Sequence, residues 1–190
     1  MKIKSLLVLA MVSLVLLSSC DEQKQFSKKI TGDWWPVHAK GSIENDKYTA
    51  SWDGDLDEHG SIEVSLVSRS NSTLVIKQKV YYTALRFEKD TRKRDAFRYL
   101  DIRSLANIVA GKSLKYQIED SKIYFETTNE NGTPTGQFDE GHPYSFKDSN
   151  TLKIGDVTYQ AYKYYKETHP YNPVTEISDD SGLIPVMVYE

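Results

Sequence analysis

A single cysteine, Cys20, serves a chain of 190 residues. No disulfide can form within the chain, so the fold must stand on packing alone. Positive charge is also in short supply: 24 Lys and Arg face 27 Asp and Glu, for a formal net charge of −3. Nucleic-acid binders want clustered positive charge, and this balance argues against that class. Apart from one stretch near the N-terminus, no apolar run approaches the roughly 20 residues of a membrane span. The four histidines, His38, His59, His142 and His169, show no HExxH or His-x-His spacing and no cysteine partner. Ser61 and Ser145 lack a nucleophile-elbow context, and no Gly-rich phosphate loop occurs. The residues offer no catalytic constellation, no metal centre and no cofactor motif, which is the reading of a non-enzyme.

The exceptional stretch comes first. Lys2 and Lys4 precede an apolar core at 6–17 (LLVLAMVSLVLL), and Ser18, Ser19 and Cys20 close it. That order of charge, short apolar core and small residues is the order of an export signal. Leu17-Ser18-Ser19-Cys20 resembles the lipobox of bacterial lipoproteins. The resemblance implies cleavage before Cys20, a diacylglycerol thioether on its sulfur and acylation of the new amino group by a chain such as palmitate. Membrane lipid would then be the first partner. A lone cysteine in an exported chain needs an explanation, and a thioether supplies one. Each buried methylene contributes about 0.8 kcal/mol and one chain anchors only marginally, so several chains on one residue would hold almost permanently. Asp21 and Glu22 resemble two opposed sorting signals, inner-membrane retention in enterobacterial lipoproteins and surface export in other Gram-negative lineages. The expected location is the cell envelope, the outer membrane ahead of the inner, on its periplasmic or surface face.

Loss of residues 1–19 would leave 171 residues and move the formal charge from −3 to −5, since two lysines and no acids go. A chain of that length suits one domain. Residues 20–29 form a polar, lipidated tether whose apolar side chain is Phe26. Residues 30–165 read as a sheet domain. Residues 166–190 read as an irregular extension, in which 183–189 (LIPVMVY) is a candidate for an added strand or for an edge that another chain augments.

Within 30–165 the dominant signal is alternation between turn clusters. A first strand spans Trp34 to Ala39, and Pro36 places an edge or bulge in it, having no N–H to give. A second short strand follows at 47–52. Ile62, Val64 and Leu66 alternate. The stretch 73–87 is one bent strand or two, with Leu74, Ile76, Val80 and Tyr82 on one face and Gln78 breaking it. Arg92-Lys93-Arg94 lies in a charged loop, and 101–110 (DIRSLANIVA) has a helical stripe between Asp101 and Gly111. Leu114, Tyr116 and Ile118 alternate outward to a turn at 119–122, and Ile123 and Phe125 alternate back. Asn131-Gly132 marks another tight loop. Further turns fall at 141–143, 147–150 and 155–156. Asp53, Asp55 and Asp57 resemble the opening of a calcium loop, but Glu58 and Val64 stand where that pattern wants Gly and Glu, so they read as a solvated acidic turn.

Gly32-Asp33-Trp34 matches the Gly-x-Trp opening of lipocalin and lipocalin-like barrels, at the start of the first strand. No Thr-Asp-Tyr follows and no arginine sits on the last strand, where Lys163 could substitute. The chain is therefore similar to the looser lipocalin-like bacterial lipoproteins. That similarity implies an all-β fold, an antiparallel meander closing into a barrel of about eight strands with one short helix. It implies that Gly32 and Trp34 plug one end. It also implies binding of a small apolar or amphipathic ligand without catalysis. The residues expected to face inward are Tyr116, Phe125, Tyr144, Tyr159 and Gln78 beside Ala50, Ala84 and Ala161. The aromatics would fill the interior and leave nothing to bind, or the alanines and Gln78 would leave space and a polar contact. The alternative is an envelope module that meets protein or carbohydrate through exposed Tyr162, Tyr164, Tyr165 and Tyr171.

Overall fold

A computed structural model describes residues 25–89, 95–100 and 113–168. The export segment with Cys20, the Arg92-Lys93-Arg94 loop, the expected helix at 101–110, Tyr171 and the expected strand at 183–189 lie outside these residues.

Strand β1 (Gly32–Glu44) has thirteen residues and serves two sheets. Its first three pair with β5 (Ala84–Lys89), Gly32 opposite Phe87. Trp34 to Ala39 pair with β12 (Val157–Ala161). From His38 onward β1 pairs with β2 (Tyr48–Asp55). The register with β12 slips between Pro36 and His38, as expected where a proline withholds its ladder hydrogen bond.

The remaining strands close a ring. They are β6 (Asp95–Leu100), β7 (Leu114–Glu119), β8 (Lys122–Thr128), β10 (His142–Phe146) and β11 (Thr151–Ile154). Antiparallel pairing runs β1–β5–β6–β7–β8–β10–β11–β12 and back to β1, an eight-stranded closed barrel of the lipocalin-like kind. β9 (Pro134–Phe138) pairs with the far half of β8, beyond the part that β10 uses. The hairpins follow their turn residues. Between β7 and β8 only Asp120 and Ser121 intervene, at φ 50° and 60°, the left-handed pair that a two-residue loop demands. Leu114, Tyr116 and Ile118 are buried while the residues between them are exposed, as their alternation predicts.

Strands β3 (Ser61–Ser68) and β4 (Val75–Tyr81) extend β2 into a flange that leaves the barrel along the second half of β1. The long stretch at 73–87 is thus two strands, broken at Tyr82-Thr83, with β4 in the flange and β5 in the barrel. One face of the flange has its own small core of Ala50, Val64 and Leu66, flanked by Ile43, Tyr48, Trp52, Ile62 and Val80. β4 is the outer strand, paired only with β3 among the described residues.

The barrel interior is aromatic. Phe87, Phe97, Tyr116 and Phe125 lie 4.6–6.4 Å apart, centroid to centroid, within a cluster that also holds Trp34, Leu114, Ile123, Leu152 and Tyr159. Such pairs add about 0.5–1.5 kcal/mol each beyond their burial. A helical segment, α1, described over 25–30, covers the end of the barrel where β1 begins. Its Phe26 is 2 % exposed and meets the edges of Phe87, Tyr116 and Tyr144. The packed domain therefore reaches back into the segment read as tether. Phe26 and Ile30 are one helical turn apart and both enter the barrel core. At the other terminus Lys166 to Thr168, expected to be irregular, finish a second helix, α2 (Tyr162–Thr168).

Candidate functional site

The residues expected to meet a ligand divide between two regions. Tyr116, Phe125 and Tyr159 are buried in the barrel cluster, and Tyr144 is half-buried against it. They belong to one apolar cluster, in which Tyr116 and Tyr144 meet the Phe26 ring and Phe125 meets that of Phe97. Gln78 does not join them. It lies exposed on β4, opposite Val64 on β3, in the flange. The alternation that placed it inward is real, but the face it tracks belongs to the flange. The small residues scatter likewise: Ala50 belongs to the flange core, Ala84 packs on Trp35 outside the barrel, and Ala161 touches the barrel cluster.

Trp34 is 2 % exposed at the α1 end, where its indole N–H donates to the Ile30 carbonyl at 2.6 Å. That bond ties the first strand to the helix before it. Gly32 sits at φ 127°, a backbone that an L side chain rarely adopts. It turns the chain out of α1 and into the strand. Lys163, the expected stand-in for a late-strand arginine, is on α2 and lines the same groove as Trp34.

That groove, of about 470 Å³, opens at the plugged end. Lys29, Thr31, Gly32 and Asp33 line it from the start of the chain, and Ser149, Ala161, Tyr162, Lys163 and Lys166 from the end. Its one carboxylate among the described residues is already engaged. Arg86 donates from Nε to Asp33 Oδ1 at 2.7 Å and from a terminal nitrogen to Oδ2 at 2.9 Å. This two-point pair between β5 and β1 is the strongest geometry open to an ion pair. Lys29 also lies 5.6 Å from the Phe146 ring centroid, and Lys166 lies 4.9 Å from that of Tyr162.

The three aspartates of the calcium-like stretch do not converge. Asp53 and Asp55 take the two ring nitrogens of His38 at 2.9 and 3.0 Å. The hydrogen bond to Asp55, followed by that to Asp53, raises the His38 pKa above its ordinary value against the opposing effect of burial. Asp57 turns the other way and caps its own loop. It accepts from the backbone N–H of His59 and Ser61 and from Ser61 Oγ. Burial would push this carboxyl up, but the Ser61 and His59 donors hold it below its usual range. Among the described residues no group of three or more His, Cys, Asp or Glu is placed to hold a metal ion.

A second histidine–carboxylate pair, His142 Nε2 with Asp139 Oδ2 at 3.0 Å, closes the turn into β10. Asp139 Oδ1 also accepts from the N–H of Phe125 and Gly141. The expected row of outward tyrosines is not a row. Tyr162 and Tyr165 stack on Trp35 at 5.2 and 5.4 Å, while Tyr164 is exposed. Burial pushes the Tyr165 hydroxyl pKa up, as does nearby Glu58.

Sequence reasoning missed the basic groove, because Lys29 lies more than a hundred residues from Lys163 and Lys166. The Asp33–Arg86 pair, 53 residues apart, carries no local signal either. The Phe26 plug had one faint signal, the four-residue spacing to Ile30. No family model, no curated protein and no solved structure matches this chain. No helix among the described residues is long and apolar enough to cross a membrane.

Proposed function

We propose that this chain is a lipid-anchored envelope lipoprotein whose barrel is a filled, non-catalytic scaffold that binds through its outer surfaces. The observation that carries the reading is the interior itself. The inward side chains expected to line a ligand cavity are packed on one another, with Phe26 as an added plug. Apolar surface is left uncovered elsewhere: Leu74, Val75 and Ile76, at and before the start of β4, expose 48, 49 and 40 % of their area. An outer strand of this kind is a template for pairing with another chain. This departs from the container reading, which the same experiment addresses. Native mass spectrometry and thermal shift with fatty acids, a sterol and haem should show no retained ligand and no stabilisation. A retained stoichiometric ligand would return the interior to that role.

The anchor is a separate part of the proposal and rests on the ordered export signal ending in Cys20. Cys20→Ser should abolish incorporation of radiolabelled palmitate. Labelling that persists, or a mature N-terminus elsewhere, would overturn it. The envelope location, the outer membrane ahead of the inner, rests on the same signal.

A further inference from the structure

We propose that the groove at the plugged end binds the phosphate of anionic lipid headgroups, so that the barrel stands with that end on the membrane holding its anchor. The inference rests on the reading of Cys20 as the acylated residue and adds an orientation to it.

Charge is the first support. Lys29 from α1 and Lys163 and Lys166 from α2 line one groove, with the Thr31 and Ser149 side chains beside them. None of the three lysines has a carboxylate within ion-pair distance among the described residues. The only carboxylate among the described lining residues, Asp33, is held at both oxygens by Arg86. Three uncompensated ammonium groups thus gather on a chain whose overall charge is negative. Some surface lysines, such as Lys77 with Glu63 and Lys79 with Asp57, are paired, and others stand singly; what sets these three apart is that they share one groove. The mixture of ammonium and hydroxyl donors suits a phosphate oxygen, and Trp34, Ala161 and Tyr162 give the groove an apolar side.

Reach is the second support. Gln25, the first described residue of α1, lies five positions after Cys20. Such a segment spans at most about 18 Å in any conformation. Lys29 follows one helical turn later, about 6 Å further along the axis. An acylated Cys20 therefore holds this end, and not the flange, close to the headgroups. Asp21 and Glu22 in that segment, and Asp148 and Glu167 beside the lining residues, oppose the attraction, and of the two described acids, Asp148 and Glu167, neither lines the groove. Each lysine brought to an anionic surface strengthens association about fivefold, and the effect fades within a Debye length of about 8 Å.

The test uses the full chain purified from membranes and reconstituted in phosphatidylcholine vesicles, with or without phosphatidylglycerol. Exposed amines are labelled and read by mass spectrometry. In phosphatidylglycerol vesicles, labelling of Lys29, Lys163 and Lys166 should fall about fivefold and recover in high salt. Lys47 on the flange should not change. Lys28, exposed on α1, should be protected in the parent chain and lose that protection in the triple variant Lys29→Gln, Lys163→Gln, Lys166→Gln. Equal labelling in both vesicles would overturn the proposal. So would equal protection by inorganic phosphate in neutral vesicles, which would assign the groove to a free anion. The mass of the N-terminal peptide in the same digest reports acylation of Cys20, so a failed anchor and a failed groove are told apart.

Discussion

The barrel and the flange are made from the same alternating strands and share β1, yet they end in opposite states. The barrel closes: each of its eight strands has a neighbour on both sides, and its inward rings pack into one cluster. The flange stays open: β4 has β3 on one edge and nothing among the described residues on the other. Closure removes the edges and lets every inward side chain find a partner. The flange's apolar core holds only Ala50, Val64 and Leu66 fully buried and leaves Leu74, Val75 and Ile76 in solvent. The difference assigns work. Stability belongs to the closed half, and unspent apolar surface belongs to the open one.

Substitutions can break or sharpen this contrast. The largest effect is expected at Phe87, which is 2 % exposed among four other rings. Phe87→Ala should cost about 3–5 kcal/mol in urea denaturation. Phe26→Ala should cost about 3 kcal/mol for the same reason, and no loss would return the segment to the role of tether. Gly141 has φ 77°, and a Cβ there would run into the Tyr124 ring. Gly141→Ala should cost about 1–3 kcal/mol. Arg86→Ala should cost about 1 kcal/mol, less in high salt, because the Asp33 pair is half-buried. On the flange, Leu74→Ala and Ile76→Ala should each stay within about 0.5 kcal/mol, and a large loss from either would mean that the patch is already covered.

The smallest effect is a pH dependence. His38 gains its carboxylate partners in the folded state, which raises its pKa above 6.5. Its contribution is therefore complete below about 6.5 and is lost as pH rises through the raised folded value. His38 is 37 % exposed, so the amplitude should stay under about 0.5 kcal/mol. His38→Gln should flatten that part of the stability–pH curve measured between mildly acidic and mildly alkaline buffer.

Hairpins were legible because their signals are local. Glu119 to Lys122, Asn129 to Gly132 and Gly155-Asp156 each hold turn chemistry between alternating runs, and each becomes a turn. Pro36 announced its bulge in the same way. What the sequence could not show was membership. Val80 and Ile76 alternate as convincingly as Tyr116 and Ile118, but period alone does not say which sheet a strand joins. Gln78 was therefore placed in the wrong half. Three of the four lysines in or beside the groove, Lys28, Lys29 and Lys166, lie in stretches that read as tether or loose extension. The helical segments at 25–30 and 162–168 bring those stretches against the barrel. Phe26 was hidden for a related reason, since a single aromatic among polar residues carries no period.

The claim that the interior is filled can be tested by emptying it. Phe125→Ala removes a ring whose centroid lies 4.6 Å from that of Phe97 and leaves an apolar hole inside the closed circuit. Such holes stay dry and take up small apolar molecules. Thermal shift with benzene or indole should stabilise the Phe125→Ala chain and leave the parent chain unchanged. Equal stabilisation of both chains would mean that the barrel already holds a cavity, and would contradict the account.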